Sequence, residues 1–203
     1  LLNQIRIGKI PAWGARMLKE LGRQPSKTLL EPTYLYATNK PVRARNEARL
    51  ASLVDPPVYY EARNSINTDL IDIQSGERQL STLPAIQMLS LKLGAQVMLI
   101  KNVDETLVNG TVGVVCAFWR ASHGHLAGAN IMDEYDTPKS QKEYVGKLWR
   151  KEEPYPVVKF TTSSGDRTVI VGRHEFRSET YSGQTLVCRI QVCTLSSLQP
   201  RRA

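Results

Sequence analysis

The chain has 203 residues, 41% of them hydrophobic, which is enough for one large domain or two small ones with real cores. No apolar run approaches the ~20 residues a membrane helix needs, and no secretory core opens the chain, so a soluble intracellular protein is expected. The net charge is +8, distributed as +7 over residues 1–50, −2 over 51–100, zero over 101–150 and +3 over 151–203, so the basic first quarter points to a polyanion such as nucleic acid, against the plainer reading of a solvated basic surface.

Residues 1–23 read as helical, interrupted at Gly8 and Pro11 and stopped near Gly22, with Leu18 and Leu21 spaced for one face. Thr33–Ala37 reads as a short buried strand. A helix follows from Pro41 to about Leu53, with Val42, Leu50 and Leu53 inward and Arg43, Arg45 and Arg49 largely outward. Thr38 and Asn39 stand where strand gives way to helix. Sheets of this kind bind ligands at the carboxyl ends of their strands. Two roles are open there: contact with phosphate, or simple capping of the helix.

Val58-Tyr59-Tyr60 suits a strand, and Asn64 to Thr82 reads as an irregular polar connection. Pro84 marks the expected boundary. From there the pattern is all-β: a bent strand over Met88–Lys101 with Gly94 at the bend, strands over Thr111–Trp119, Tyr155–Thr161 and Arg167–Gly172, a loop over His174–Ser182, and a last strand over Thr185–Leu195. The apolar runs of Leu91–Val115 flank a polar connection ending in Asn109-Gly110, a pair that readily takes positive φ. Lys101 and Asn102 stand where the first run leaves the core. The fold expected is α/β plus all-β: a partial α/β segment over 1–83, a small SH3-like β-barrel over 84–192 carrying a surface insertion at 120–153, and a tail over 193–203.

Other constellations favour structure over chemistry. His123, His125, Asp133 and Glu134 match no common metal spacing. Asp104-Glu105 reads as a solvated acidic turn. Cys116, Cys188 and Cys193 form no CxxC pair and read as buried structural thiols. Trp119, Tyr144 and Trp149 read as packing groups before base-stacking ones. The residues over Lys139–Glu153 place Tyr144, Val145, Leu148 and Trp149 on one helical face.

Several segments resemble the carboxyl-terminal half of the petite-integration-frequency family of DNA helicases, RecD relatives in superfamily one. These are LLNQIRIGK at 1–9, LYATNKPVRARNEARL at 35–50, LSLKLGAQVMLIKNVDETLVNGTVGVV at 89–115, PVVKF at 156–160 and RIQV at 189–192. The resemblance implies part of a second RecA-like domain and its SH3-like insertion. It implies an ATP-dependent 5′–3′ helicase of nucleus or mitochondrion, acting in DNA repair, recombination and telomere maintenance. It implies single-stranded DNA and the rest of the motor as partners, with ATP and Mg²⁺ as cofactors of the full-length family. Residue by residue it implies DNA contacts at Thr38, Asn39, Lys101, Asn102 and Asn109, a structural role for Asn46, and backbone roles for Gly94 and Gly110.

The departures are equally specific. No GxxxxGK[ST] occurs; Gly8-Lys9-Ile10 lacks the upstream glycine and the hydroxyl. After Val192 the family's His-Lys-Ser-Gln-Gly motif is replaced by Cys-Thr-Leu-Ser-Ser-Leu-Gln-Pro-Arg-Arg-Ala, and the chain begins at Leu1. A fragment is expected, binding DNA without hydrolysing ATP alone and holding no cofactor or catalytic residue of its own. The alternatives are an SH3-like protein-interaction module and a non-functional helicase remnant.

Overall fold

The computed structural model describes residues 1–22, 30, 34, 36–120, 130–131 and 153–196. The chain divides into two compact units, residues 1–31 and 32–203. In the first unit, α1 (Leu2–Arg6) and α2 (Ala12–Leu21) are separated where expected. Gly8 takes φ +74°, and Pro11 is the extended N-cap residue of α2. Trp13, Met17 and Leu21 recur every four residues along α2 and stay about half exposed.

The second unit contains α3 (Asn39–Ala51), with Pro41 in its first turn, where a fixed φ near −65° costs nothing. Val42 and Asn46 are buried one turn apart, and Leu50 and Leu53 pack against the core at the helix's far end. Of the short buried strand expected at 33–37, Thr33 and Leu35 lie outside the described residues, while Tyr34, Tyr36 and Ala37 are not in a strand and Tyr34 and Ala37 are exposed. Next come β1 (Val58–Glu61), β2 (Arg63–Ile66) and α4 (Ile73–Thr82). The irregular connection expected over 64–82 is therefore replaced by the end of a strand and a helix. The Asp72 side chain caps α4, accepting from the Ser75 N–H at 2.9 Å. A Cβ on Gly76 would lie 2.5 Å from Ile66 Cγ2, so the missing side chain lets α4 rest on β2.

The remaining strands are β3 (Met88–Leu91), β4 (Gln96–Leu99), β5 (Val112–Trp119), β6 (Asn130–Ile131), β7 (Tyr155–Thr162), β8 (Gly165–Ile170), β9 (Arg173–Glu179), β10 (Thr185–Val192) and β11 (Thr194–Ser196). They form sheets of order β1-β3, β2-β10-β9 and β11-β4-β5-β7-β8-β6. All described pairings are antiparallel except β6 with β8. The fold is thus mixed α/β with several antiparallel sheets. Among the described residues the closed barrel expected from the sequence is not formed: the six-stranded ladder ends at β11 and β6. Two bent strands instead carry the chain between sheets. β8 runs into β9 across Val171-Gly172, and β10 into β11 across Cys193, whose N–H donates to the Gly172 carbonyl at 3.3 Å.

Strands on the two sides of Pro84 pair with one another, β1 with β3 and β2 with β10. Residues 174–179, expected in a loop, belong to β9. Their charged letters disguise a strand whose Arg173, His174 and Phe176 are buried. The core gathers Tyr60, Leu89, Leu91, Val97, Leu99, Leu107, Val115, Tyr155, Phe160 and Ile170. Cys193, placed in the tail by the sequence reading, is fully buried in this core. Cys116 departs from expectation in the other direction and is exposed, while Cys188 is intermediate. The helix expected over 139–153 and most of the 120–153 insertion lie outside the described residues. Among the described residues no helix is long and apolar enough to cross a membrane.

Candidate nucleic-acid interface

Thr38 occupies the N-cap position of α3 with extended backbone, φ −136° and ψ 159°. It is exposed, and its hydroxyl makes no capping hydrogen bond. The capping alternative therefore holds for its position but not for its side chain. No acidic residue lies in the first turn of α3 to offset the helix's positive end. Lys40 and Arg43 are exposed beyond it. The guanidinium of Arg45 lies 3.7 Å from the ring centroid of Tyr34, a cation–π contact. Asn39 is the first helical residue; its side chain lies outside what is described. The Asn46 amide is buried, and among the described residues neither of its polar atoms has a hydrogen-bond partner.

The second cluster is the connection between β4 and β5. These strands pair Val97 with Gly113, so residues 100–111 form an excursion longer than a two-residue hairpin turn. The Gly110 N–H donates to the Leu99 carbonyl at 2.8 Å, with Gly110 at φ +101°, closing the neck where Asn109-Gly110 was expected to turn. Asn102 Oδ1 accepts from the Asn109 N–H at 2.8 Å. Two residues assigned separately as contacts thus hold one another, and the Asn102 carbonyl oxygen is spent inside the loop. Lys101 Nζ lies 3.3 Å from His174 Nδ1 on β9.

Asp104 is no solvated acid. Its Oδ1 accepts from the Thr106 N–H at 2.8 Å, the Leu107 N–H at 2.8 Å and the Thr106 hydroxyl at 2.9 Å. Its Oδ2 meets the Arg167 guanidinium of β8 at 2.7 Å. Partial burial works against the charged carboxylate. The bonds from Leu107, Arg167 and Thr106 outweigh it and hold the group well below the ordinary carboxylate range. Leu107, between these polar groups, is fully buried. Sequence reasoning missed Arg167 because nothing in the pattern says which distant cation meets Asp104.

The Thr38 group and the 101–110 loop share no hydrogen bond or ion pair among the described residues. Of the basic residues elsewhere, Arg173 and Arg189 are buried and serve the interior. No group of three metal-ligating side chains occurs among the described residues; His123, His125, Asp133 and Glu134 lie outside them. Among the described residues none forms a cradle of the kind that the ATP and Mg²⁺ implied by the resemblance would need. Gly8-Lys9 follows a five-residue helix in an open turn, not a glycine-rich loop opening a long helix.

Residues 79–118 match the sequence model of the DNA helicase Pif1 2B domain, spanning the end of α4 to β5. The ATP-dependent DNA helicase PIF1 of Candida albicans is 30% identical over a 245-residue alignment that takes in 94% of this chain. The chain belongs to the Pif1 family. The crystal structure of the Candida albicans Pif1 helicase superposes with a TM-score of 0.71 at 31% identity, covering 97% of this chain and 42% of that one. PIF1 of Emericella nidulans is 41% identical over 119 residues, 58% of this chain. A Bacteroides Pif1 helicase solved in complex with ADP-AlF3 and ssDNA shares the fold at TM-score 0.50 and 17% identity, covering 97% of this chain and 37% of its own. This Pif1-family chain spans 27% of the Candida albicans protein and 16% of the Emericella nidulans one.

Proposed function

We propose that this chain is a single-strand-contacting portion of a Pif1-family DNA helicase. One observation carries the reading: the Thr38 hydroxyl, exposed at the start of α3, is not spent on capping. A free hydroxyl at a helix's positive end, followed by exposed Lys40 and Arg43, suits a backbone phosphate. Asn39 joins it as the family's paired residue. Lys101 and Asn109 supply a second contact from the 2B-domain loop, with Asn102 behind them. The bent strands β8–β9 and β10–β11 support an SH3-like description of this β part. The Bacteroides complex with ssDNA supports the choice of ligand.

In the whole protein this portion serves ATP- and Mg²⁺-driven 5′–3′ unwinding within the cell, in the nucleus or mitochondrion, in repair, recombination and telomere maintenance. Without a phosphate loop of its own, the chain binds DNA and does not hydrolyse ATP. Fluorescence anisotropy with a single-stranded 20-mer tests this. Binding is expected at ~50 mM salt and falls with a slope of roughly −0.7 per phosphate contact in a log–log plot. Thr38→Ala/Asn39→Ala weakens it. Absence of binding by the parent chain, or binding indifferent to both the double variant and salt, defeats the proposal.

A further inference from the structure

We infer that Asp104 and Arg167 are positioning residues that hold the 101–110 loop in its DNA-binding shape before DNA arrives. The inference rests on the proposed single-strand contact and extends it to residues that touch no DNA. A twelve-residue excursion that ordered itself only on binding would spend affinity on lost chain freedom. Here that ordering is already complete. Asp104 gathers two backbone N–H groups, one hydroxyl and one guanidinium. Arg167 also donates to the Thr106 hydroxyl, so β8 grips the loop at two points. Leu107, 1% exposed, plugs the loop into the core, and its carbonyl accepts from the Val103 N–H at 2.8 Å. The outer side is left to Lys101, Asn102, Glu105, Val108, Asn109 and Gly110, all exposed.

Charge and geometry predict opposite signs, which makes the inference testable. If the loop mattered only through its charge, Asp104→Ala would remove an anion facing a polyanion and tighten binding. If Asp104 positions the loop, the same change weakens binding. Arg167 is only 29% exposed in its side chain and already holds Asp104, so its loss should not remove a phosphate contact.

The experiment is anisotropy with the single-stranded 20-mer on the full 203-residue chain across a salt series. Asp104→Ala and Arg167→Met are each expected to weaken binding about three- to tenfold, the cost of ordering a few side chains and a loop. The double variant should be no weaker than the worse single one. The salt slope should stay at the parent value, whereas Lys101→Ala makes it shallower. Arg167→Lys, which keeps the charge but not the planar fork, should weaken binding as Arg167→Met does. Thermal melting confirms that the variants remain folded, and faster amide exchange at Thr106 and Leu107 should accompany the loss.

Tighter or unchanged binding by Asp104→Ala overturns the inference. So does a shallower slope for Arg167→Met, full rescue by Arg167→Lys, or additivity of the two variants. If Thr38→Ala/Asn39→Ala weakens binding while Lys101→Ala and Asn109→Ala do nothing, the loop inference fails and the single-strand reading stands. If the parent does not bind, both fall.

Discussion

The guanidinium of Arg173 makes two hydrogen bonds to the Glu153 carboxylate, at 2.9 and 2.6 Å, inside the β unit. Arg173 is 1% exposed in its side chain and Glu153 15%. A third bond runs from Arg173 to the Glu61 carbonyl at 2.8 Å. One side chain of β9 therefore ties both β1 and Glu153, two residues before β7. Such a pair is costly to bury and costlier to break, because the survivor is left uncompensated. Arg173→Met is expected to lower unfolding stability by about 3–5 kcal/mol, read by denaturant titration. A loss under about 1 kcal/mol would show that the pair is no more than a surface contact.

Gly113 sets a second limit. It lies on β5 opposite Phe160. A Cβ there would sit 2.7 Å from the Lys159 carbonyl oxygen and 2.7 Å from Val158 Cγ1. The first of these is backbone of the paired strand and cannot swing aside. Gly113→Ala should therefore cost about 1–3 kcal/mol, as overpacking does, although alanine suits a strand better than glycine. Equal melting temperatures for parent and variant would contradict the close approach.

Asp104 predicts a pH dependence. Its folded-state pKa is depressed, so the folded chain binds fewer protons than the unfolded one through the ordinary carboxylate range. Its contribution is complete above the unfolded value of about 3.9 and is lost as pH falls towards the folded value. Stability measured by urea titration should fall between about pH 5 and pH 2.5, and part of that fall should vanish in Asp104→Asn. Identical acid profiles for the two proteins would remove Asp104 from the account.

The same residue shows where sequence reasoning stops. Local order was legible: the break at Gly8 and Pro11, the helix around Pro41, the bend at Gly94 and the strands of β5, β7 and β8 all follow from punctuation and periodicity. What failed depended on partners far along the chain. β9 reads as a loop because Arg173 and His174 look like surface letters; Glu153, twenty residues away, makes burial of the arginine tolerable. α4 was missed although Asp72 and Ser75 spell an N-cap and Leu80 an inward face, because polar letters dominate the window. At the candidate site, Thr38 could be placed at a helix start, but only the structure separates its position from the use of its hydroxyl. Asn102 and Asn109 could be assigned as contacts, but not seen to hold one another.

Gln191 on β10 offers the sharpest contrast with Asp104. It is 1% exposed, and its Nε2 faces three carbonyl oxygens, of Tyr60 at 2.8 Å, Ile86 at 3.1 Å and Gln87 at 3.3 Å. Its Oε1 accepts from the Val192 N–H at 2.9 Å. The amide thus fixes the end of β1 and the start of β3 to the sheet behind them. Gln191→Leu leaves the carbonyls without this donor and should cost about 1–3 kcal/mol at every pH. Gln191→Glu is the more telling change, because it sets an acceptor oxygen against carbonyl oxygens. Only the protonated acid can donate there, so folding raises the new group's pKa above the unfolded value of about 4.3. The variant should come nearest to parent stability below that value and lose stability as pH rises through the raised folded value, opposite in sign to the Asp104 effect. Urea midpoints at pH 4 and pH 7 decide it: a Gln191→Glu chain no less stable relative to the parent at pH 7 than at pH 4 would show that its side chain has turned away from the three carbonyls.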